Sequence, residues 1–179
     1  MKLLRPIHEY SGGITAYRHA FLQSGEQPHG SSSLQNFDSL NEWFEKVSKQ
    51  ELGENLQGNR VPSSQFLSFE KGELIGFVNI RHRLNEELLR ESGHIGYSVH
   101  PNKRRQGYVT KQLQLALGEA QKLELQKVLI TCDKVNIASA KTIQKVGGML
   151  ENEVVSSHTG EIVQRYWVEI GFSGNLKRE

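Results

Sequence analysis

The segment 99–110 combines residue types that bind phosphate in proteins. The end of a predicted strand is followed by three consecutive cations at 103–105, then by Gly107 and an amphipathic helix. The first turn of a helix carries unpaired backbone N–H groups and the positive end of the helix dipole, which together attract an anion. Gly107 allows a positive φ or a close approach of the backbone to a ligand. These residues predict a phosphate or pyrophosphate site, and a solvated basic turn that only caps the helix is the alternative.

The elements around this segment are predicted from the spacing of the apolar residues. From Val109 to Leu123 they recur in steps of three and four, which is typical of one buried helix face. The run 127–132 is almost continuously apolar, so we expect a central strand, parallel to the strand at 93–100. Further helices are predicted at 13–22, 39–52 and 136–146, a loop or short helix at 85–92, and strands at 65–70, 73–81, 149–157 and 161–170. This order indicates a mixed α/β or α+β fold around one sheet.

Length, charge and cysteine content exclude several classes of protein. The 179 residues suit one domain, and a net charge of +2 is small for a protein that covers nucleic acid or a membrane surface. No stretch approaches the roughly 18 apolar residues that span a bilayer, and no signal peptide is recognisable, so we expect a cytoplasmic protein. Cys132 is the single cysteine and the histidines lack zinc-site spacing, so we predict no disulfide framework and no metal. The apolar run around Cys132 favours packing over a nucleophilic role.

Two runs in this sequence resemble motifs of the GCN5-related N-acetyltransferases, the GNAT family. The run Arg104-Arg105-Gln106-Gly107-Tyr108-Val109 resembles the signature Q/R-x-x-G-x-G/A, although valine stands where glycine or alanine is usual. The run Asn136-Ile137-Ala138-Ser139-Ala140, followed by Lys145-Val146-Gly147-Gly148, looks like the second motif. The resemblance covers 64–170 and is most apparent with bacterial acetyltransferases of unassigned substrate.

This resemblance implies both a fold and a cosubstrate. The fold would be α+β, a single domain over 1–179 with a mostly antiparallel central sheet, one parallel splayed strand pair and about four helices. Within it, 1–62 would form the helical acceptor side and 63–170 the coenzyme-binding core. The cosubstrate would be acetyl-coenzyme A, with its arm paired to the strand at 97–99 and its pyrophosphate at the helix start. The residues implied are Val99, Arg104, Arg105, Gln106, Gly107, Tyr108, Val109, Thr110, Asn136 and Ser139, and a simple helix cap is the other role open to Asn136.

The reaction implied by the resemblance is direct attack of a neutral primary amine on the thioester. It calls for a donor to the oxyanion, expected at the backbone N–H near Val99, and for an acid and a base. The usual acid of the family, a tyrosine seven residues after the motif asparagine, is replaced here by Ile143. The substitutes are Tyr97, Tyr166 and Tyr108 as acid, and His94 and Glu91 as base. Packing roles for the tyrosines, a hydrogen-bonded strand histidine and a solvated loop carboxylate are the alternatives.

The acceptor site is expected, by analogy with the family, beside the N-terminal helices and their loop. Residues that could border it are His29, Phe37, Asp38 and Trp43. The acidic residues Glu86, Glu87 and Glu91 suit a cationic acceptor, but a solvated loop explains them equally well.

The predicted function is transfer of an acetyl group to a primary amine of a small molecule or a protein. A catalytically weak acetyl-coenzyme A sensor is the alternative, because Ile143 replaces the usual acid. Nucleic-acid binding through 103–105 has less support, since the net charge is small and no aromatic residues are interleaved with the cations. The resemblance leaves a homodimer open.

Overall fold

Two helices precede the main strands in the computed structural model, which describes residues 1–54, 56 and 58–171. They are α1 (Ser11–Ser24) and α2 (Leu40–Leu52). Each ends at a glycine in the left-handed conformation, Gly25 with φ of 69° and Gly53 with φ of 72°. A side chain at either position would strain the backbone, so glycine marks the end of each helix. Both predicted N-terminal helices are confirmed.

The first sheet has four antiparallel strands in the order β1-β2-β3-β4. The predicted hairpin is confirmed, and its two turn residues, Lys71 and Gly72, both have positive φ (49° and 83°), as a tight hairpin turn of type I′ requires. The sequence did not predict β1, because three residues are too few to show a periodicity. β4 forms one edge of the sheet. The strands are β1 (Lys2–Leu4), β2 (Ser63–Glu70), β3 (Glu73–Arg81) and β4 (Ile95–Val99).

The second sheet has three antiparallel strands in the order β5-β7-β6. The expectation of a central strand at 127–132 is therefore wrong, because β5 pairs with β7 alone and forms an edge. The segment expected as a loop or short helix, 85–92, contains one helical turn, Leu88–Ser92. The elements are α3 (Tyr108–Lys122), β5 (Lys127–Asp133), α4 (Ile137–Lys145), β6 (Met149–Val155) and β7 (Ile162–Glu169).

The two sheets meet where His94, just before β4, contacts Leu129 of β5. The His94 N–H donates to the Leu129 carbonyl at 2.7 Å, and the Leu129 N–H donates to His94 Nδ1 at 2.9 Å. Beyond this junction Tyr97 of β4 lies near Cys132 of β5, three residues further along each strand, so the two strands run in the same direction, but they belong to separate sheets. The predicted α+β fold with a splayed parallel pair is therefore confirmed, and the splay divides the expected single sheet into two.

One hydrophobic core holds both sheets together despite the splay. It combines Val78 and Ile95 of the first sheet, Ile130 of the second, and Leu113 and Ala116 of α3, all with at most 2% of their surface exposed. A second core fills the space between α1, α2 and the other face of the first sheet. Within the described ranges, no helix is long and apolar enough to cross a membrane.

Candidate active site

The gap between β4 and β5 presents backbone groups that no neighbouring strand occupies. His100, directly after β4, donates its N–H to Ile75 of β3 at 2.8 Å. In an antiparallel pair every second residue points its backbone groups to the partner strand, so those of Tyr97 and Val99 point away from β3, toward β5. Since β4 is an edge strand, these N–H and C=O groups can pair with a ligand that enters the gap.

The start of α3 lies after β4 and has the geometry of an anion site. Gly107 precedes the helix in the left-handed conformation (φ of 77°), and no side chain caps the helix there. The first hydrogen bond of the helix runs from the Lys111 N–H to the Gly107 carbonyl, at 3.4 Å. The N–H groups of residues 108–110 therefore lack helical partners. Val109, the departure from the family motif, packs against the shared core, which is the core that joins the two sheets.

Two of the three cations before α3 are engaged by acidic side chains. Arg104 makes a bidentate pair with Glu26, at 2.9 and 2.6 Å, and Lys103 contacts Glu73 at 2.7 Å. Arg105 forms no ion pair within the part of the chain that the structure describes, and its backbone has a positive φ of 61°. Exposed pairs of this kind contribute little stability, so an anion at the helix start can compete for them.

The start of α4 carries the second motif. Asn136 Oδ1 accepts a hydrogen bond from the Ser139 N–H at 3.1 Å, so Asn136 caps the helix. Its side chain is exposed, which leaves the amide NH₂ available to a ligand. Ile143, where the family has its tyrosine, is fully buried in the shared core.

Tyr97 extends from β4 to α4, where its hydroxyl and the Ser139 hydroxyl form a hydrogen bond. The Cys132 thiol of β5 lies beside the same serine. Burial raises the pKa of Tyr97 to about 12 and the pKa of Cys132 to about 11, and the Ser139 hydroxyl offsets part of each shift. Both groups keep their protons at neutral pH, so Tyr97 can serve as a proton donor and Cys132 is not a reactive thiolate.

His94 lies at the junction of the sheets rather than free in the gap. It is only 6% exposed, and its Nδ1 is occupied by the Leu129 N–H. Burial, with a smaller contribution from the charge of Arg81, lowers the pKa of His94 to about 4. The geometry therefore disfavours His94 as general base and gives it the role of joining the sheets.

Glu91 is a buried carboxylate, not the solvated loop residue that the sequence suggests. Ser157 donates to it from its hydroxyl at 2.5 Å and from its backbone N–H at 3.1 Å. Hydrogen bonds from Ser156 and Ser157 lower the pKa of Glu91 to about 2. So acidic a carboxylate is a poor base, and its contacts instead attach the segment before β4 to the turn between β6 and β7.

The remaining tyrosines have weaker geometry as acids. Tyr166 is 1% exposed in the shared core, and its hydroxyl donates to Gln164 Oε1 at 2.7 Å. Tyr108 is half-buried at the first position of α3. Of the candidate acids, Tyr97 is the one whose hydroxyl reaches α4 from the edge of the gap.

The acceptor side contains a cavity of about 540 Å³ beside the loop between α1 and α2. His29 is among the residues that line it. Trp43 does not line it, because this residue lies on the buried face of α2 and its Nε1 donates to the Ser31 carbonyl at 2.8 Å. The ring of Phe37 lies 5.0 Å from Nζ of Lys46, which lines the cavity, and Asp38 is exposed outside it.

The sequence does not single out three cations of this cavity, Lys46, Arg60 and Arg81. They come from α2, from the segment before β2 and from the end of β3, so no local motif unites them. Nothing in the sequence distinguishes each of them from a solvated surface cation. Within the described residues, no group of three or more His, Cys, Asp or Glu side chains could hold a metal ion.

Several solved acetyltransferases have a similar fold. The proposed acetyltransferase yncA from Salmonella typhimurium, solved with its cofactor acetyl-CoA, has 15% identity and a TM-score of 0.63 over 97% of this chain and 95% of that one. Spermidine N-acetyltransferase SpeG from Vibrio cholerae has 15% identity and a TM-score of 0.65, with 95% of each chain covered. An acetyltransferase from Salmonella typhimurium that modifies the N-terminal serine of ribosomal protein L7/L12 has 18% identity and a TM-score of 0.64, with 93% of each chain covered. At these identities the likeness concerns the fold alone.

A family model provides the stronger comparison. No curated protein sequence matches the chain. The model described as the acetyltransferase (GNAT) domain matches residues 3–149, which include the β4–α3 segment and the start of α4. The gap between β4 and β5, the uncapped start of α3 and this match agree with one another, and the chain belongs to the GNAT family of acetyltransferases.

Proposed function

We propose that this enzyme transfers the acetyl group of acetyl-CoA to a primary amine. The observation that carries the proposal is the gap between two edge strands, which leads from the His94 junction toward the uncapped start of α3. A long, flexible ligand with amide groups and a pyrophosphate suits both features, since edge strands pair with amides and a helix start binds anions.

The residues of the gap fit acetyl-CoA by the chemistry of their donors. The backbone groups of Tyr97 and Val99 are available to amides of its arm, and the N–H groups at the start of α3 are available to its pyrophosphate. Arg105 adds an uncommitted positive charge, and the exposed Asn136 amide adds a donor on the α4 side. When bound, acetyl-CoA supplies an acetyl thioester.

The chain itself would supply charge stabilisation and a proton. The Val99 N–H, fixed in a strand, is a preorganised donor for negative charge on the carbonyl oxygen; removing one such donor typically costs about 3–4 kcal/mol of transition-state stabilisation. Tyr97 would hold the proton for the departing sulfur, because its phenol is protonated at neutral pH. With His94 and Glu91 both held in structural hydrogen bonds, the amine would enter neutral or lose its proton to water.

Thermal unfolding with and without acetyl-CoA tests the binding site. At about 100 times its dissociation constant the ligand stabilises the protein by about 2.7 kcal/mol, a shift of several degrees. The double variant Arg105→Glu, Gly107→Glu should lose this shift. A folded protein that shows no shift at millimolar acetyl-CoA would contradict the proposal.

Thiol release with a panel of amines then separates an enzyme from a sensor. Amine-dependent release of coenzyme A supports transfer. Binding of acetyl-CoA without release by any amine would favour the sensor, for which the burial of Ile143 in place of the usual acid is the supporting observation.

A further inference from the structure

The cavity beside the loop between α1 and α2 has a charge pattern that the proposed transfer does not explain. Lys46, Arg60 and Arg81 line it, and Glu87 is the one carboxylate among its described lining residues. Glu87 is itself hydrogen-bonded to His158 at 3.1 Å. Among the described residues, none of the three cations forms an ion pair with a carboxylate. Unpaired cations around a cavity attract an anion.

Two of the cations donate their hydrogen bonds to backbone carbonyls, although the charge of Glu87 also acts on Arg81. Lys46 is half-buried, its Nζ donates to the Ser32 carbonyl at 2.8 Å, and it lies near the ring of Phe37. Burial, together with the nearby charge of Arg60, lowers the pKa of Lys46. Arg81 donates to the carbonyls of Ser92 and Gly93 at 3.1 and 2.7 Å. Bringing like charges together in a partly buried place costs free energy, which a bound anion would recover.

The cavity lies against the strand that borders the gap. Gly30 of its wall packs on Gly96 of β4, one residue before Tyr97, and Ser98 Oγ donates to the His29 carbonyl at 2.5 Å. Asn79, another lining residue, is the register partner of Gly96. A volume of about 540 Å³ accommodates a small metabolite or a terminal residue of a peptide.

We propose that this cavity binds the acetyl acceptor, and that the acceptor carries a carboxylate or a phosphate in addition to its amine. This inference rests on the proposed transfer to an amine. It replaces the cationic acceptor that the acidic residues at 86, 87 and 91 suggest, because Glu91 is committed to Ser157 and Glu87 is outnumbered by the three cations. A polyamine would meet repulsion in such a cavity.

Matched pairs of amines test the inference through binding and turnover. The probes are L-alanine against L-alaninamide for the carboxylate, O-phosphoethanolamine against ethanolamine for the phosphate, and spermidine as the polycation. Binding is measured by calorimetry and turnover by release of coenzyme A. We expect the anionic member of at least one pair to bind about tenfold or more tightly than its partner, and to have the higher kcat/KM. The better pair identifies the anion.

The variant Arg60→Glu provides the internal control of charge. Arg60 is exposed, so the substitution reverses a charge at the cavity without disturbing a buried contact. We expect it to abolish the preference for the anionic probe and to leave the thermal shift with acetyl-CoA unchanged. Lys122→Glu, the same charge change at the far end of α3, should alter neither.

The inference would be overturned by equal binding within both pairs, by preference for spermidine, or by an anion preference that survives Arg60→Glu. Failure of all probes to bind at 10 mM (about the weakest useful affinity) would do the same. The proposed transfer fails separately, if acetyl-CoA gives no thermal shift while the anionic probes still bind. The two proposals are thus distinguishable.

Discussion

Tyr97 on β4 and Ser139 on α4 are joined through their hydroxyl groups across the space between the two sheets. The bond fixes the phenol near Cys132 of β5, where burial shields both side chains from water. The chain thereby presents a protonated hydroxyl from β4. On α4, the position at which the family has its tyrosine is occupied by Ile143, which is buried in the core. In this chain the hydroxyl at the gap therefore comes from strand β4 and not from helix α4.

Removing the Tyr97 hydroxyl should impair the chemical step more than binding. We expect Tyr97→Phe to lower kcat about a hundredfold, in the range that general acids contribute. The affinity for acetyl-CoA should change little, because the backbone of β4 is untouched. Steady-state kinetics and calorimetry give the two values.

Ser139→Ala is the matched control, because it breaks the same hydrogen bond and keeps the phenol. A loss of activity much smaller than that of Tyr97→Phe would assign the effect to the phenol. Equal losses in the two variants would show that the hydrogen bond acts by positioning α4, and would contradict the role of Tyr97 as general acid.

Arg105 should contribute to acetyl-CoA affinity through its charge. We expect Arg105→Glu to weaken binding about tenfold at low salt and less at high salt, because exposed charges are screened. Stability should be unchanged, since Arg105 is exposed and forms no ion pair in the described residues. Titration by calorimetry at two ionic strengths measures both effects, and an affinity equal to that of Lys122→Glu would contradict this role.

Gly30 should be essential to the wall of the cavity. A Cβ at this position would collide with the Gly96 carbonyl of β4, in addition to adopting an unfavourable φ of 70°. Gly25 has nearly the same φ, 69°, but open space around it. Gly25→Ala should cost about 1 kcal/mol, the usual strain of this conformation, and Gly30→Ala clearly more. Thermal unfolding compares them, and equal losses would show that the loop can move off β4.

The pH dependence of stability should report the Glu91 contacts. Its pKa is lowered from 4.5 to about 2 by hydrogen bonds from Ser156 and Ser157, so its stabilising contribution is present above its ordinary pKa and is lost as the pH falls toward 2. We expect Glu91→Gln to lower Tm at neutral pH, with the difference from the parent shrinking in acid. Glu86→Gln, at an exposed position of the same segment, should show no such convergence. A difference that stays constant with pH would contradict the assignment.

Local patterns predicted most of the fold. The helical periodicity after Gly107 and the apolar run before Asp133 correspond to α3 and β5, because each is long enough to repeat its pattern. The strand β1 was missed because a three-residue strand exists only through its pairing with β2. The separation of β4 from β5 followed from the family resemblance, since spacing within either strand does not encode it.

The features of the candidate site that are local could be predicted from the sequence, and those assembled from distant segments could not. The α3 start and the Asn136 cap are read from consecutive residues. The roles of His94 and Glu91 depend on Leu129 and Ser157, which lie 35 and 66 residues away along the chain. The same holds for the cavity cations, which three separate elements bring together. Long-range contacts of this kind leave no mark on the local sequence.

The splay of β4 from β5 also bears on aggregation. An unpaired strand edge can recruit the strand of another molecule, and this fold leaves one such edge on each side of the gap. The two edges converge on the His94–Leu129 contact, and Tyr97 crosses to α4 only three residues further on. A polypeptide strand, which has side chains on both faces, could pair with either edge over only a few residues there. A slender unbranched chain could extend past this point. We therefore expect the Tyr97–Ser139 contact to limit the addition of a strand from a neighbouring protein.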